Sequence, residues 1–567
     1  MRIDGFAAIQ DYAAIGDGEA VALVALDGSI DWLCLPCFDS DPVFAALLDP
    51  ERGGSFALCP DEPFEAERRY LPETNVLETT CSCSNGTVRI TDAMALNNGA
   101  VLPWRELTRR VEGLSGSVPV RYGMTTAPGW KSDLELLTWG AGEDGATEGR
   151  FRLEAGSTAQ LTLVSSPGGP CPRPTREEAG ERLDETAEAW RRWVGAHTYD
   201  HEWKEAVVRS LLALKLLISS STGSIVAAPT TSLPERIGGE RNWDYRYAWV
   251  RDSCWTIGAL IGLGFREQAH ESLGWLLRAI RGTQPDVDPI YELDGSVLRR
   301  CEELDWPGYR SSRPVVVGNR AGDQLQLGGF ADVLDTAWAY VSEGNRLDSE
   351  TSELLAGIAD HVCGIWERQD AGIWELLERR HYTQSKVASW TALQRACDLA
   401  RGGHIPDRVA AWQEAIAAVE DYVEEECWSD ERQSYVQYPR TAKIDAAELL
   451  CSRRGYGDVN RERVAATVDT IRAELGRGPL LYRYSGQEDE EGAFVACSFW
   501  LAEAFARLGR VDEAAEQMES TLAFANDVGL YSEEIDPETG DFLGNFPQGL
   551  SHLSLIRAAL AVEEALG

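Results

Sequence analysis

Two textures divide the chain. Up to about residue 170, apolar and polar positions alternate over short stretches such as SVPVRYGMTT, GRFRLEAG and AQLTLVSS, with Gly, Pro and Asp between them. A period of two puts one face of each stretch in a core and the other outside, so these read as strands. NVLETTCSCSNGTVRITDAM reads as a hairpin, with Asn85-Gly86 supplying the positive φ of its turn. Several short strands at this spacing predict an antiparallel sandwich. SPGGPCPRPT, residues 166–175, interrupts the pattern, and a polar helical stretch, REEAGERLDETAEAWRRWV, follows it.

From about residue 200 the apolar residues recur at i, i+3/i+4 and i+7, the period of a helix packed on one face. Eleven segments have it: 202–219, 248–265, 267–280, 330–344, 352–369, 385–400, 407–426, 460–475, 492–509, 511–527 and 552–566. Many arrive in pairs, which suits an α/α toroid of about twelve helices. The expected organisation is an antiparallel β-sandwich over 1–170, a helical linker over 171–200 and an (α/α)6 barrel over 201–567. The long connections at 223–247, 283–329 and 476–492 are rich in Trp, Tyr, Gly, Arg and acids. Loops carried on a rigid scaffold are where binding residues concentrate.

Composition narrows the partners. Of 567 residues, 44% are hydrophobic and 26% charged, the balance of a globular protein. Lys+Arg number 53 against 92 Asp+Glu, a net charge of −39, which argues against nucleic acid and anionic membrane surfaces. No apolar run approaches the ~18 residues that span a bilayer; the longest candidate, AVVRSLLALKLLISS, carries Arg209 and Lys215. The N-terminus lacks the basic start and apolar core of a secretory signal, and 13 scattered cysteines then predict reduced thiols in the cytoplasm. Cys34 and Cys37 form a lone CxxC without the second pair of a zinc ribbon. A homo-oligomer is compatible with all of this.

The chemistry lies in carboxylates and aromatics. The chain has no GKS/GKT, GxSxG or HExxH, and its seven histidines are dispersed. Trp and acids together are the materials of a sugar site, where apolar ring faces meet indoles and hydroxyls meet charged groups. The densest constellation is RNWDYRYAWVRDS, 241–253: Trp243, Tyr245, Tyr247 and Trp249 alternate with Asp244 and Arg246, then Arg251-Asp252 open a helix. In AGIWELLERRHYTQSKVASW, Glu375 follows Trp374; a carboxyl against an indole is desolvated, which raises its pKa and suits a general acid. In GQEDEEGAFVACSFW four acids precede an apolar helix, whose positive end keeps a carboxylate ionised as a general base must be.

Six ordered blocks carry a family resemblance: GSIDWLCLPCFDSDPVFAALLD, GGERNWDYRYAWVRDS, GYRSSRPVVVGNRAGDQLQL, GIWE…RRHYTQSK, EEGAFVACSFWLAE and SEEIDPETGDFLGNFPQGLSH. The chain resembles glycoside hydrolase family 15, the glucoamylase, glucodextranase and trehalase group, in its bacterial and archaeal form. The resemblance implies a β-sandwich followed by an (α/α)6 barrel. It also implies an inverting, exo-acting α-glucoside hydrolase that needs neither metal nor organic cofactor. Carried over residue by residue, it makes Glu375 the general acid and Glu491, before Gly-Ala-Phe, the general base in preference to Glu490. It matches Arg251, Asp252 and Trp249 to the glucose-binding residues and Tyr245 to the tyrosine beside the attacking water, and it makes Trp374 the acid's apolar neighbour.

Arg310, Arg313 and Asn319 are placed at the pocket rim, His381 and Lys386 beside the acid's loop. Glu534 and His552 have no assigned role, and the loop from Trp32 to Asp41 is read as domain packing. Leu376 and Leu377 stand where fungal members carry a second acid and bacterial ones an arginine, which puts the difference at the leaving-group sugar. The expected substrate is a small α-glucoside, trehalose first, then malto- and isomalto-oligosaccharides. A phosphorolytic enzyme on this barrel would lack the second carboxylate, and a non-catalytic sugar-binding protein would lack one of the two glutamates.

Overall fold

The structure is a computed structural model that describes residues 2–97, 99–130, 133–141 and 145–566. Its first part is a two-layered antiparallel β-domain organised by one strand, Arg105–Thr125. The first half of that strand pairs with Gly86–Met94 on one side and Thr158–Ser166 on the other. Its second half pairs with Ser55–Pro60 and Glu148–Glu154. The register shifts between Gly113 and Ser115, where the strand leaves one layer for the other, as corner-forming strands of sandwiches do.

The expected hairpin forms, with one difference in its turn. Cys83 pairs directly with Gly86, so Ser84-Asn85 is the turn and Gly86 already belongs to the strand. Gly86 is required for another reason. At φ +145° a Cβ there would lie 2.0 Å from the Ser115 carbonyl oxygen, so only glycine lets the turn lie against the bulge.

Helix α1 (Arg176–Val194) follows the strands, its N-terminus closed by a capping box between Thr175 and Glu178. Twelve more helices follow among the described residues: α2 (Lys204–Leu216), α3 (Val250–Gly262), α4 (Arg266–Arg281), α5 (Gly328–Ser342), α6 (Ser349–Ile365), α7 (Thr383–Arg401), α8 (Val409–Tyr422), α9 (Leu450–Arg453), α10 (Arg461–Leu475), α11 (Val495–Arg507), α12 (Val511–Leu522) and α13 (Gly549–Leu566). Eleven of the twelve fall on the expected segments. The exception, α9, extends a 3-10 turn at Ala446–Leu449 and is too short to display a helical period.

Packing sorts the twelve into two rings. Helices α3, α5, α7, α9, α11 and α13 touch in succession, and α13 closes on α3; the even-numbered helices back onto them from outside. This is the (α/α)6 barrel. Every inner helix runs the same way, so six N-termini meet at one rim. Short turns such as 263–265 and 508–510 lie at the opposite end, and the long connections before each inner helix crowd the N-terminal rim.

The β-domain packs on the barrel through the loop from Trp32 to Asp41 as expected, and with consequence. The Trp32 indole donates to the Pro229 carbonyl (2.7 Å). Arg246 donates from the barrel to the Ser40 carbonyl (2.9 Å) and the Cys34 thiol (3.5 Å) while forked onto Asp244. No described helix is long and apolar enough to cross a membrane.

Gly86→Val tests the hairpin. The side chain meets backbone on the next strand and a φ closed to L-residues, so the β-domain loses stability on the order of 1–3 kcal/mol. A lowered melting temperature checks this; an unchanged one contradicts the close approach.

Candidate active site

The six loops at the N-terminal rim enclose a cavity of about 550 Å³, within the range of small-molecule sites. Each loop contributes: Trp249 and Arg251 before and in α3, Gln324 before α5, Glu375 before α7, Gln437 before α9, Arg483 before α11 and Glu533 before α13.

Glu375 sits on the turn Gly372–Glu375 in a left-handed conformation, φ +59°, which few non-glycine residues adopt. The turn is held by barrel residues: the Arg251 guanidinium donates to the Ile373 carbonyl (2.9 Å) and the Gln324 amide to the Glu375 carbonyl (2.9 Å). Trp249 Nε1 donates to Glu375 Oε1 at 2.6 Å, and Arg251 Nη1 stands 3.9 Å from the same oxygen. Burial raises the Glu375 carboxyl above the ordinary range, with Arg251 and the Trp249 N–H acting against it. Its proton therefore belongs on Oε2, away from the indole donor.

Arg251 is forked onto Asp252 Oδ2 at 3.1 Å, and Asp252 Oδ1, buried in the cavity wall, has no hydrogen-bond partner among the described residues. Trp374 lines the cavity too, but the indole against the Glu375 carboxyl is Trp249. Trp374 stacks on Trp500 (5.8 Å between centroids) and donates to Asp445 (2.8 Å), a carboxyl that burial pushes up to about 6.

The second carboxylate of the cavity is not Glu491. The Glu491 side chain is fully buried, clamped by Arg483 (Nε to Oε1, 2.7 Å, and Nη2 to Oε2) and by Arg241, and it is absent from the cavity wall. A carboxylate paired with two guanidinium groups and shut off from the cavity is a weak base that no substrate water reaches, so a role as base does not fit; Glu490 is exposed outside the cavity.

Glu533, in the C-terminal block, lines the cavity instead. Tyr245 Oη donates to its Oε1 at 2.6 Å, and the Asn545 backbone N–H donates to Oε2 at 3.3 Å. Burial and then the negative charge of Glu235 raise its pKa, while the Tyr245 hydroxyl and Arg483 lower it. The Tyr245 and Trp249 rings meet edge to face 5.2 Å apart, so two neighbouring aromatics each present a polar hydrogen to a different carboxylate.

Glu235, Glu491 and Glu534 lie close enough to share a metal, with candidate ligand atoms within 4.8 Å. Arg483 already stands among them, 2.7 Å from Glu235 and 3.6 Å from Glu534, and supplies the positive charge. Arg310 and Arg313 do not line the cavity. Arg310 occupies a left-handed position in the Tyr309–Ser311 turn, and Arg313 forms an exposed pair with Asp305. Asn319 does line it, with Arg320. Lys386 is a packing residue whose ammonium donates to the Trp366 and Arg368 carbonyls. Buried His552, held neutral with its pKa lowered to about 3 by burial, accepts from the Tyr531 N–H.

Sequence reasoning missed Glu533, Arg483, Arg241 and Asp445. One signal pointed to Glu533: if each long loop before an inner helix faces the cavity, the loop before the last helix must contribute, and it carries Glu533-Glu534.

The model of "Glycosyl hydrolases family 15" matches residues 202–560, and that of "Trehalase-like, N-terminal" matches 4–123. A relative named trehalase from Thermoplasma volcanium is 34% identical over 100% of this chain and 95% of its own. A trehalase from Mycobacterium tuberculosis is 32% identical over 99% and 90%. Among solved structures, a bacterial glucoamylase complexed with acarbose shares the fold over 99% of this chain and 95% of its own, at a TM-score of 0.69 and 12% identity.

Glu491→Gln separates the two carboxylates. Breaking a buried, doubly paired carboxylate costs about 3–5 kcal/mol of stability, so this variant melts well below the parent, whereas Glu533→Gln melts close to it. Equal melting temperatures contradict the division.

Proposed function

The chain belongs to glycosyl hydrolase family 15 and is a glycoside hydrolase, and from that premise we propose that it hydrolyses α,α-trehalose with inversion, Glu375 as general acid and Glu533 as general base. The observation that carries the assignment is the paired geometry of Trp249 on Glu375 and Tyr245 on Glu533 in one cavity. The substrate reading is supported by whole-length similarity to proteins named trehalase.

In this reading one glucose occupies the inner cavity, with hydroxyls on the Arg251–Asp252 fork. Glu375 delivers its proton to the glycosidic oxygen as the C1–O bond breaks, and the leaving glucose departs past Leu376 and Leu377 at the cavity mouth. Water attacks C1 from the opposite face while Glu533 takes its proton. Tyr245 donates to Oε1, which favours the ionised form of Glu533 against the rise to about 8 that burial and the Glu235 charge impose, and leaves Oε2 for that water. Inversion needs the carboxyls roughly 6.5–9.5 Å apart, so that water and substrate fit between them. All 13 cysteines are free thiols, which supports a reducing compartment, the cytoplasm.

Proton NMR at early times tests the stereochemistry. The attacked glucose of trehalose leaves as β and the departing one as α, so inversion gives equal amounts; α-glucose alone means retention, and turnover of maltose or isomaltose without trehalose moves the substrate. Glu533→Gln lowers kcat by about 10²–10⁴-fold, while Glu491→Gln, in whatever fraction folds, stays well above it; the reverse order sinks the base assignment. Tyr245→Phe removes a hydrogen bond that lowers the Glu533 pKa. The acidic limb of kcat/KM against pH, where the base must lose its proton, therefore moves to higher pH; a limb that stays put, or moves down, contradicts the pairing.

A further inference from the structure

The segment that carries Glu533 is anchored outside the barrel at both of its ends. At the start, Arg68 of the β-domain forks onto Asp527 with two hydrogen bonds of 2.7 Å. The same guanidinium donates to the Asp11 carbonyl at 2.6 Å. Beside it, the Asn526 amide donates to the Gln10 (3.1 Å) and Tyr12 (2.9 Å) carbonyls and accepts from the Val528 and Leu530 N–H groups. At the far end, the Gln10 carboxamide donates to Asp541 (3.0 Å) and accepts from the Phe542 N–H (3.3 Å). Between these anchors lie Glu533 and the strand Glu534–Ile535, whose hairpin partner Phe542–Leu543 begins at the second anchor.

Tyr245 is held from the same side. Its neighbour Arg246 reaches Ser40 and Cys34, and Trp32 bonds Pro229, next to the Thr230 whose hydroxyl donates to Asn545 (2.8 Å). The β-domain therefore holds the segments that carry both partners of the Tyr245–Glu533 hydrogen bond. The turn of Glu375, by contrast, takes its hydrogen bonds from Trp249, Gln324 and Arg251, all barrel residues.

We propose that the N-terminal β-domain positions the water-activating half of the site, with Gln10 and Arg68 as positioning residues acting through Asp541 and Asp527; this rests on Glu533 being the base. A bidentate fork and a carboxamide used at both ends fix a loop more narrowly than apolar packing does. A water held between base and C1 tolerates little displacement, since a shift near 1 Å costs about 10²-fold.

The test is the full-length double variant Gln10→Ala/Asp527→Ala, neither site lining the cavity, assayed on trehalose with glucose binding and circular dichroism as folding checks. The expected result is a kcat lower by about 10- to 100-fold with KM nearly unchanged, an acidic limb moved to higher pH as the Tyr245 bond loosens, and an alkaline limb, set by Glu375, left in place. Asp527→Glu alone recovers part of the rate. Parental kcat and limbs overturn the proposal and leave the domain a packing partner. If the double variant does not fold, Gln10→Ala alone gives the same two outcomes. Glu533→Gln, assayed alongside, separates the readings: if it is inactive while the seam variants are normal, only the positioning role fails. If it is fully active, the base assignment itself fails.

Discussion

Six inner helices pointing the same way deliver six N-termini to one rim, and the chemistry gathers there because of it. Five of them open helices of 13 to 19 residues, each carrying about half a positive charge and unpaired N–H groups at that end. A cavity built from such ends accepts acids that an apolar core would reject. Asp252, Glu235, Glu375 and Glu533 line this one, and Asp445, Glu491 and Glu534 lie just behind. The same constraint explains the uneven connections. The far rim needs only short turns between ring partners, whereas the near rim has a wall to build, and its loops are long, aromatic and rich in arginine.

Dipoles alone do not sort acids into roles; the arginines do that. Arg483 reaches Glu491, Glu235 and Glu534 together, and Arg241 adds a second cation on Glu491. Carboxylates so held are structural anions. Glu533 and Glu375 escape that fate because aromatic N–H and O–H groups, not guanidinium groups, meet them at hydrogen-bonding distance. A neutral donor orients a carboxyl without locking its charge, which is what proton transfer requires. The proposed acid and base are thus two buried cavity glutamates that meet neutral aromatic donors.

This division marks the limit of what was legible in the chain. Helical period exposed eleven barrel helices and the alternating strands, and the Trp-Glu step exposed Glu375, because these signals are local. The short α9 had too few turns to show a period. The placement of the base on Glu491 followed sound local reasoning, an acid just before an apolar helix, yet its fate is decided by Arg241, 250 residues away. Likewise Glu533 draws its meaning from Tyr245, 288 residues earlier. Contacts across the ring leave no trace in spacing, so the block holding Glu533 was visible while its role was not.

The two halves of the site also differ in how their geometry is maintained. Glu375 occupies a left-handed position that glycine or asparagine would fill more easily, a strain of order 1–3 kcal/mol that only the carboxyl justifies. The turn keeps it through short-range bonds to the rim loops on either side. Glu533 carries no such strain; the barrel holds it where the Val495 N–H meets its carbonyl and Ala493–Phe494 pairs with Glu534–Ile535, and the β-domain holds the segment further out at Asp527 and Asp541. A second domain bound along that span does for the base what local strain does for the acid. On this view the β-sandwich is part of the catalytic architecture, bracing from outside the long loop whose middle the barrel pairs at Ala493–Phe494.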